Sequence, residues 1–181
     1  LRAAAPGDIL ALDHVGSTAV PGLPSKDILD LQLGVEDMAA AERIAPLLAD
    51  AGFPAWPGIV ADNPKPSHPD PSDWPKRLHG NADPGRPVNL HVRAVGSPGW
   101  LFALCFRDWL RDDEAARADY LAEKRRVAKL HGVDKSTARY AADKEAWFSG
   151  HAAPRMEAWR CRASSRSSPR VPSTPTSPRR G

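Results

Sequence analysis

Apolar and polar residues alternate along several short stretches in the first half of the chain, a pattern typical of half-buried β-strands. Asp37 stands where a helix would begin, as an N-cap, and Gly52 stands where that helix would end. Residues 57–75 are too rich in proline for regular structure and predict a long loop. The predicted strands are Ile9–Val15, Asp27–Val35, Lys76–Asn81 and Val88–Val95.

The second half of the chain has the pattern of helices. Residues 100–110 are apolar nearly all round, which predicts a buried helix. Residues 112–130 begin with acids and end with bases, the polarity that the helix dipole favours, and residues 136–148 predict a third helix. Arg107 and Asp108 interrupt the apolar run, and we expect them to form an ion pair that anchors the helix.

These elements predict an α/β domain over residues 1–155, with its strands first and its helices last. The chain begins with Leu1 rather than Met, and we expect the domain to lack its N-terminal part. Residues 161–181 are mostly Arg, Ser and Pro, and they hold too few apolar side chains to offset the entropy of ordering. This composition predicts a disordered tail.

The composition, 41% hydrophobic and 26% charged, is that of an ordinary soluble protein. We expect neither a membrane span nor a signal peptide, and the two cysteines fit a reducing, cytoplasmic setting. The tail holds five arginines and no acid, so the net charge of +3 falls to about −2 without it. The body therefore lacks a basic stripe, and nucleic acid is not an expected partner.

Three of the predicted strands carry polar side chains at alternate positions. If these strands lie side by side, one face of the sheet carries Asp30, Gln32, Arg77, His79, His91 and Arg93. Alternation alone fits a solvated sheet face equally well. The residue types favour a site, because a generic wet face would be richer in Lys, Glu and Thr. This face is net positive, which indicates an anionic ligand such as a phosphate, a carboxylate or a nucleotide.

Five segments resemble the GrpB-like family: DHVGSTAVPGLPSKDILDLQLGV, RPVNLHVR, FALCFRDWLRDD, YLAEKRRVA and YAADKEAWF. The resemblance covers roughly residues 9 to 150. It implies a nucleotidyltransferase-like fold, in which a small mixed sheet is flanked by helices. In that fold a Gly-Ser pair follows one strand, and two acids one residue apart on the next strand hold Mg²⁺. Gly16 and Ser17 match the pair, and Asp30 matches the first acid, but Gln32 stands in place of the second.

The resemblance is strongest to the GrpB-like domain at the C-terminus of actinobacterial dephospho-CoA kinases, which act in coenzyme A biosynthesis. No G-x-x-x-x-G-K-[ST] sequence for binding phosphates occurs in this chain. The resemblance therefore implies an accessory domain beside a fused or separate kinase domain. Lys124 and Lys144 match positions where the family usually has lysine.

Three hypotheses follow. In the first, the accessory domain binds an anionic small molecule or nucleotide on the polar face. In the second, the domain is a transferase with one Mg²⁺ on Asp30, and His79 or His91 acts as the general base. In the third, it is an interaction module whose sheet face is only solvated. The ligand-binding candidates are Gly16, Ser17, Lys26, Gln32, Arg77, Arg93, Lys124 and Lys144, and the catalytic candidates are Asp30, His79 and His91.

Overall fold

One mixed sheet of four strands organises the chain. A computed structural model describes residues 7–81, 85, 87–131 and 143–167, the last with side chains up to residue 161. The strand order is β1-β2-β4-β3, in which β2 and β4 are parallel and the outer strands are antiparallel to their neighbours. The predicted mixed sheet is confirmed. The strands are β1 (Ala11–Val15), β2 (Leu29–Val35), β3 (Arg77–Gly80) and β4 (Val88–Ala94).

A single helix, α1 (Met38–Asp50), covers one face of the sheet. It begins as predicted, because the Asp37 carboxylate accepts a hydrogen bond of 2.7 Å from the Ala40 N–H. Fully buried aliphatic side chains fill the space between helix and sheet, and each contributes roughly 1.5–3 kcal/mol. They are Leu33, Val35, Ile44, Leu48, Leu90 and Val92.

The described residues of the second half are mainly helical, as predicted, whereas residues 132–142, which hold the beginning of the third predicted helix, lie outside the described residues. The elements of this half are α2 (Pro98–Asp112), α3 (Glu114–His131), helical residues 143–147, a π-helical turn (Phe148–Ala152) and α4 (Ala153–Ser167). An aromatic cluster joins them, with the ring of Phe106 lying 5.0 Å from that of Phe148 and 5.2 Å from that of Tyr120. α2 is buried on one side only, since Leu101 is 47% exposed. This differs from the helix buried all round that the sequence predicts.

Two further predictions concern the helical half. The Arg107–Asp108 ion pair is confirmed, with Nε 2.7 Å from the carboxylate. α4 continues to Ser167, so helix extends into the segment predicted to be disordered from Cys161; residues 168–181 lie outside the described residues. Within the described part of the chain, no helix is long and apolar enough to cross a membrane.

Candidate functional site

The register of the two central strands places polar side chains together on the sheet face opposite α1. Asp30 lies beside Asn89, and Gln32 lies beside His91, because β2 and β4 run parallel in step. Arg93, two residues beyond His91, projects from the same face. α2 crosses this face, where the Gln32 amide donates to the backbone oxygen of Trp100 at 3.2 Å. These residues match the predicted polar face.

The prediction that Arg77 and His79 share this face is wrong. In β3 these two residues pair with Val92 and Leu90, whose side chains point toward α1. Arg77 accordingly bonds to Glu42 of α1, with Nε 2.6 Å from the carboxylate. The physical reason is the register of β3, which places Leu78 rather than Arg77 or His79 opposite His91 of the polar face.

His79 is a buried core residue. Its side chain is fully inaccessible, and Nδ1 lies 3.0 Å from the backbone oxygen of Phe53. Nε2 has no hydrogen-bond partner. Trp56 covers neighbouring Gly80 so closely that a Cβ at Gly80 would overlap the indole. The structure therefore separates His79 from the other catalytic candidates by the thickness of the sheet.

Gly16 and Ser17 form a tight turn against Asp30. Gly16 has a φ of 70°, and a Cβ at this position would overlap the Asp30 carboxylate. A short 3₁₀ turn (Ser17–Ala19) follows. Two arginines of α2 hold the turn on both sides: Arg107 donates to the His14 oxygen at 3.2 Å, and Arg111 donates to the Ala19 oxygen at 2.9 Å. The turn and the carboxylate are thus held as one unit.

Asp30 is the central carboxylate of the polar face. Its Oδ1 accepts a hydrogen bond of 2.9 Å from the Asn89 amide and lies 3.7 Å from His91 Nε2. Burial opposes ionisation, but His91, Asn89 and the charge of Lys144 outweigh it and hold the pKa of Asp30 below its ordinary value. Asp30 is therefore ionised at neutral pH.

The surroundings of His91 favour its neutral form. Burial lowers the pKa of His91 below its ordinary value, and the positive charges of Arg93 and Lys76 act in the same direction. Asp30 opposes this shift without reversing it. His91 is consequently neutral at neutral pH, with one ring nitrogen able to accept a proton.

Asp62 lies in the proline-rich loop and completes the polar face, although no sequence pattern singles it out. Arg93 grips its carboxylate with Nε at 2.7 Å and Nη2 at 3.1 Å, and Lys76 Nζ lies 2.5 Å from Oδ1. Burial opposes ionisation of Asp62, but these two cations dominate and hold its pKa far below the ordinary value. The proline-rich composition concealed this residue, because nothing local indicates that the loop folds back over the sheet.

Three predicted lysines gather near Asp30. Lys26, Lys124 and Lys144 interact electrostatically, and Lys124 also donates to the Pro24 oxygen at 2.9 Å. Burial lowers the pKa of Lys124 and that of Lys144, and the repulsion among the three amines adds to it, while Asp30 opposes both shifts. The structure therefore brings together like charges that an anion would stabilise.

A cavity of about 360 Å³ lies between the polar face, the proline-rich loop and the helical half. Its wall carries three carboxylates and four cationic side chains, a net charge of +1. Aromatic rings, among them Phe102, Phe106 and Phe148, form the side opposite the sheet. Lys65 joins the loop to the helical residues, with Nζ 2.7 Å from Glu145. The charged groups are Asp30, Asp62, Glu145, Lys65, Lys76, Arg93 and Lys144.

The residues of this cavity do not fit a two-ion Mg²⁺ site. The Gln32 oxygen accepts a hydrogen bond of 2.6 Å from Arg93, and both oxygens of Asp62 are engaged by cations. Mg²⁺ needs oxygen ligands that are not already paired. Among the residues that the structure describes, no group of three or more His, Cys, Asp or Glu side chains could hold a metal ion. A single Mg²⁺ on Asp30 stays a prediction.

The GrpB protein family model matches residues 1–153. The chain belongs to the GrpB family. A crystal structure of the conserved protein GrpB from Enterococcus faecalis superposes with a TM-score of 0.59 over 80% of this chain and 81% of that one, at 21% identity. This similarity confirms the α/β fold with its small mixed sheet and flanking helices.

Curated relatives fall into two groups. The dephospho-CoA kinase of Mycolicibacterium paratuberculosis is 46% identical over 161 residues, which cover 82% of this chain but 39% of that protein. The dephospho-CoA kinase of Mycobacterium leprae is 41% identical over 155 residues, covering 77% and 37%. The UPF0157 protein BH1888 of Halalkalibacterium halodurans is 34% identical over 120 residues, covering 66% and 55%. The chain therefore spans less than two fifths of the kinases that it resembles.

Proposed function

We propose that this GrpB chain is the accessory domain of a dephospho-CoA kinase and binds a phosphate-bearing, nucleotide-type anion in the cavity beside Asp30. The kinase relatives support the context, since this chain is similar to 39% of one and 37% of another. The observation that carries the binding proposal is Lys144 on the cavity wall with Gly16, Ser17 and Asp30, and the charges of Lys26 and Lys124 act on the same lysine cluster.

The chemistry of this end of the cavity suits a phosphate group. Lysine ammonium groups and a serine hydroxyl donate hydrogen bonds to phosphate oxygens, and charge-assisted bonds of this kind are roughly twice as strong as neutral ones. Because the amines repel one another, a bound anion would neutralise their charge and raise the lowered pKa values of Lys124 and Lys144. The half-buried position makes each interaction stronger than it would be on an open surface.

The size and lining of the cavity suit an organic phosphate. A volume of about 360 Å³ lies in the range of small-molecule sites, which combine apolar walls with a few polar groups. Here the polar groups lie along the sheet, and the rings of Phe102, Phe106 and Phe148 lie opposite. A planar or apolar body would contact the rings while its phosphate lies near Lys144.

Calorimetric titration of the chain with a panel of ligands tests this proposal. The panel is inorganic phosphate, pyrophosphate, adenine nucleotides and coenzyme A precursors. We expect one organic phosphate to bind and Lys144→Gln to weaken it by about tenfold or more, the effect of losing a charged hydrogen bond. Lys129→Gln, an exposed lysine on α3, is the matched control and should change nothing. A folded protein that binds no member of the panel would instead favour the interaction module.

A transferase with His91 as general base is the second candidate. The lowered pKa of His91 and its position 3.7 Å from Asp30 favour it, because a neutral imidazole oriented by a carboxylate can accept a proton. Turnover of a nucleotide that His91→Gln abolishes would support this candidate. Ligand binding without turnover would leave the accessory role.

A further inference from the structure

We propose that the cavity binds its anion without a divalent cation, because the Arg93 guanidinium occupies the side-chain oxygens that a metal ion would need and the cavity wall is already net positive. This inference rests on the proposed function, since it concerns how the same cavity holds the same kind of anion. It departs from the metal-dependent chemistry that the nucleotidyltransferase-like fold implies.

The first support is the position of Arg93. Its Nη1 donates to the Gln32 oxygen at 2.6 Å, while Nε and Nη2 hold the Asp62 carboxylate at 2.7 and 3.1 Å. The guanidinium therefore bridges the oxygens of two side chains, as a metal ion between two ligands would. Nη2 also lies 3.5 Å from His91 Nδ1. The guanidinium therefore lies close to the neighbouring residues Gln32 and His91 of the two central strands.

The second support is the fixed geometry of this bridge. Arg93 is 6% exposed, and Gly99 of α2 lies so close that a Cβ there would be 2.8 Å from Asp62 and 3.3 Å from Arg93. Lys76, itself 8% exposed, binds the other side of Asp62. A buried ion pair with its hydrogen bonds satisfied does not release its carboxylate readily, since an unpaired buried charge is costly.

The third support is the charge of the cavity wall. Its three carboxylates and four cations leave a net charge of +1 before any ligand enters. A cavity whose acids outnumber its bases needs metal ions before it can accept a phosphate, and this one does not. Gln32 is fully buried and accepts a hydrogen bond from Arg93, so a carboxylate at that position would add a negative charge next to this wall.

Isothermal titration with pyrophosphate as the probe tests the inference, once in EDTA and once in excess Mg²⁺. We expect the two dissociation constants to agree within about threefold. Titration with Mn²⁺ alone should give no saturable binding. Binding of pyrophosphate only in Mg²⁺, or saturable binding of Mn²⁺ alone, would overturn this inference and leave the proposed anion site in place. No binding of pyrophosphate in either buffer would overturn this inference, whereas the proposed anion site is overturned only if the folded chain binds no member of the ligand panel.

Two double variants test the role of Arg93 in anion binding. Arg93→Gln with Asp62→Asn removes both charges of the buried pair, and it leaves Lys76 without its carboxylate. Because the guanidinium is lost, this double variant should weaken pyrophosphate binding in EDTA by about tenfold or more. Arg43→Gln with Asp8→Asn makes the same charge change in an exposed pair outside the cavity and should have no effect. Equal effects of the two double variants would contradict the role of Arg93. The metal comparison on the unaltered chain decides the inference even if the buried variant fails to fold.

Discussion

The Asp30 carboxylate lies directly against the backbone of Gly16, at the point where β1 ends and the serine turn begins. No side chain fits between them, because a Cβ on Gly16 would overlap the carboxylate and the Cβ of Asp30. The φ of 70° at Gly16 independently favours glycine. This contact fixes the distance between the Ser17 turn and the central carboxylate of the cavity.

Gly16→Ala is therefore expected to destabilise the chain by more than the backbone strain alone, which is about 1–2 kcal/mol for a non-glycine residue in this region. Gly22→Ala is the matched control, since Gly22 has a φ of 74° but nothing within 4 Å of an added Cβ. Urea denaturation of both variants measures the difference. Equal losses of unfolding free energy would show that the contact with Asp30 is not tight.

Asp62→Asn should lower the free energy of unfolding by about 3–5 kcal/mol, because it leaves two buried cations without their carboxylate. Asp73→Asn changes an exposed carboxylate in the same loop and should cost little. Urea denaturation at neutral pH compares the two variants. A small loss for Asp62→Asn would mean that Arg93 and Lys76 find other partners.

The same carboxylate predicts how the chain responds to acid. The pKa of Asp62 is lower in the folded chain than its ordinary value of 3.8, so its stabilising contribution is fully present above pH 3.8 and is lost as the pH falls toward the folded pKa. Asp62→Asn should therefore lose less stability than the unaltered chain between pH 5 and the acid limit of the fold. Unfolding curves measured at a series of pH values test this. If the two chains lose unfolding free energy in parallel as the pH falls, the ionised Asp62 carboxylate does not stabilise the fold.

Arg77→Gln should leave ligand affinity unchanged within about twofold, because Arg77 lies on the α1 face and pairs with Glu42. Titration with whichever ligand binds the unaltered chain measures the effect. Lys144→Gln, measured in parallel, shows the size of a true loss at the cavity. A large loss of affinity for Arg77→Gln would mean that the ligand reaches around the edge strand β3.

The order and type of the elements could be predicted from the sequence, because alternation, the Asp37 cap and the apolar helical run are local signals. Asp30 and His91 were placed on one face for the same reason, since each strand determines its own alternation. Arg77 and His79 were misplaced because alternation within β3 does not reveal its register against β4. Register depends on packing against α1, which is a long-range property.

The position of Asp62 could not be predicted from the sequence either. Its local sequence, between Ala61 and Asn63 in a proline-rich loop, predicts an exposed acid. The loop instead folds back on itself, because the Asp62 N–H donates to the Trp74 oxygen at 2.9 Å, and it reaches the sheet through the Asp62–Arg93 ion pair. That bond joins residues twelve apart, and the ion pair with Arg93 joins residues thirty-one apart. Neither is visible in a pattern read along the chain.

Lys144→Met tests whether the buried charge of Lys144 lowers the stability of the domain. The pKa of Lys144 is lowered in the folded chain, chiefly by burial, so the unfolded chain binds more protons between that lowered value and the ordinary 10.5. Stability therefore rises with pH across this window, and below it the folded chain carries the full cost of the buried charge.

Lys144→Met removes that cost, so we expect the variant to be more stable than the unaltered chain near neutral pH, with the advantage shrinking as the pH rises toward 10.5. Urea denaturation at stepped pH measures both slopes, and Lys129→Met, on the exposed side of α3, should follow the unaltered chain. A Lys144→Met curve that runs parallel to the unaltered one would show that the charge of Lys144 does not destabilise the folded chain. A flattened curve would show that it does, and this destabilising charge is the one that a bound anion would neutralise.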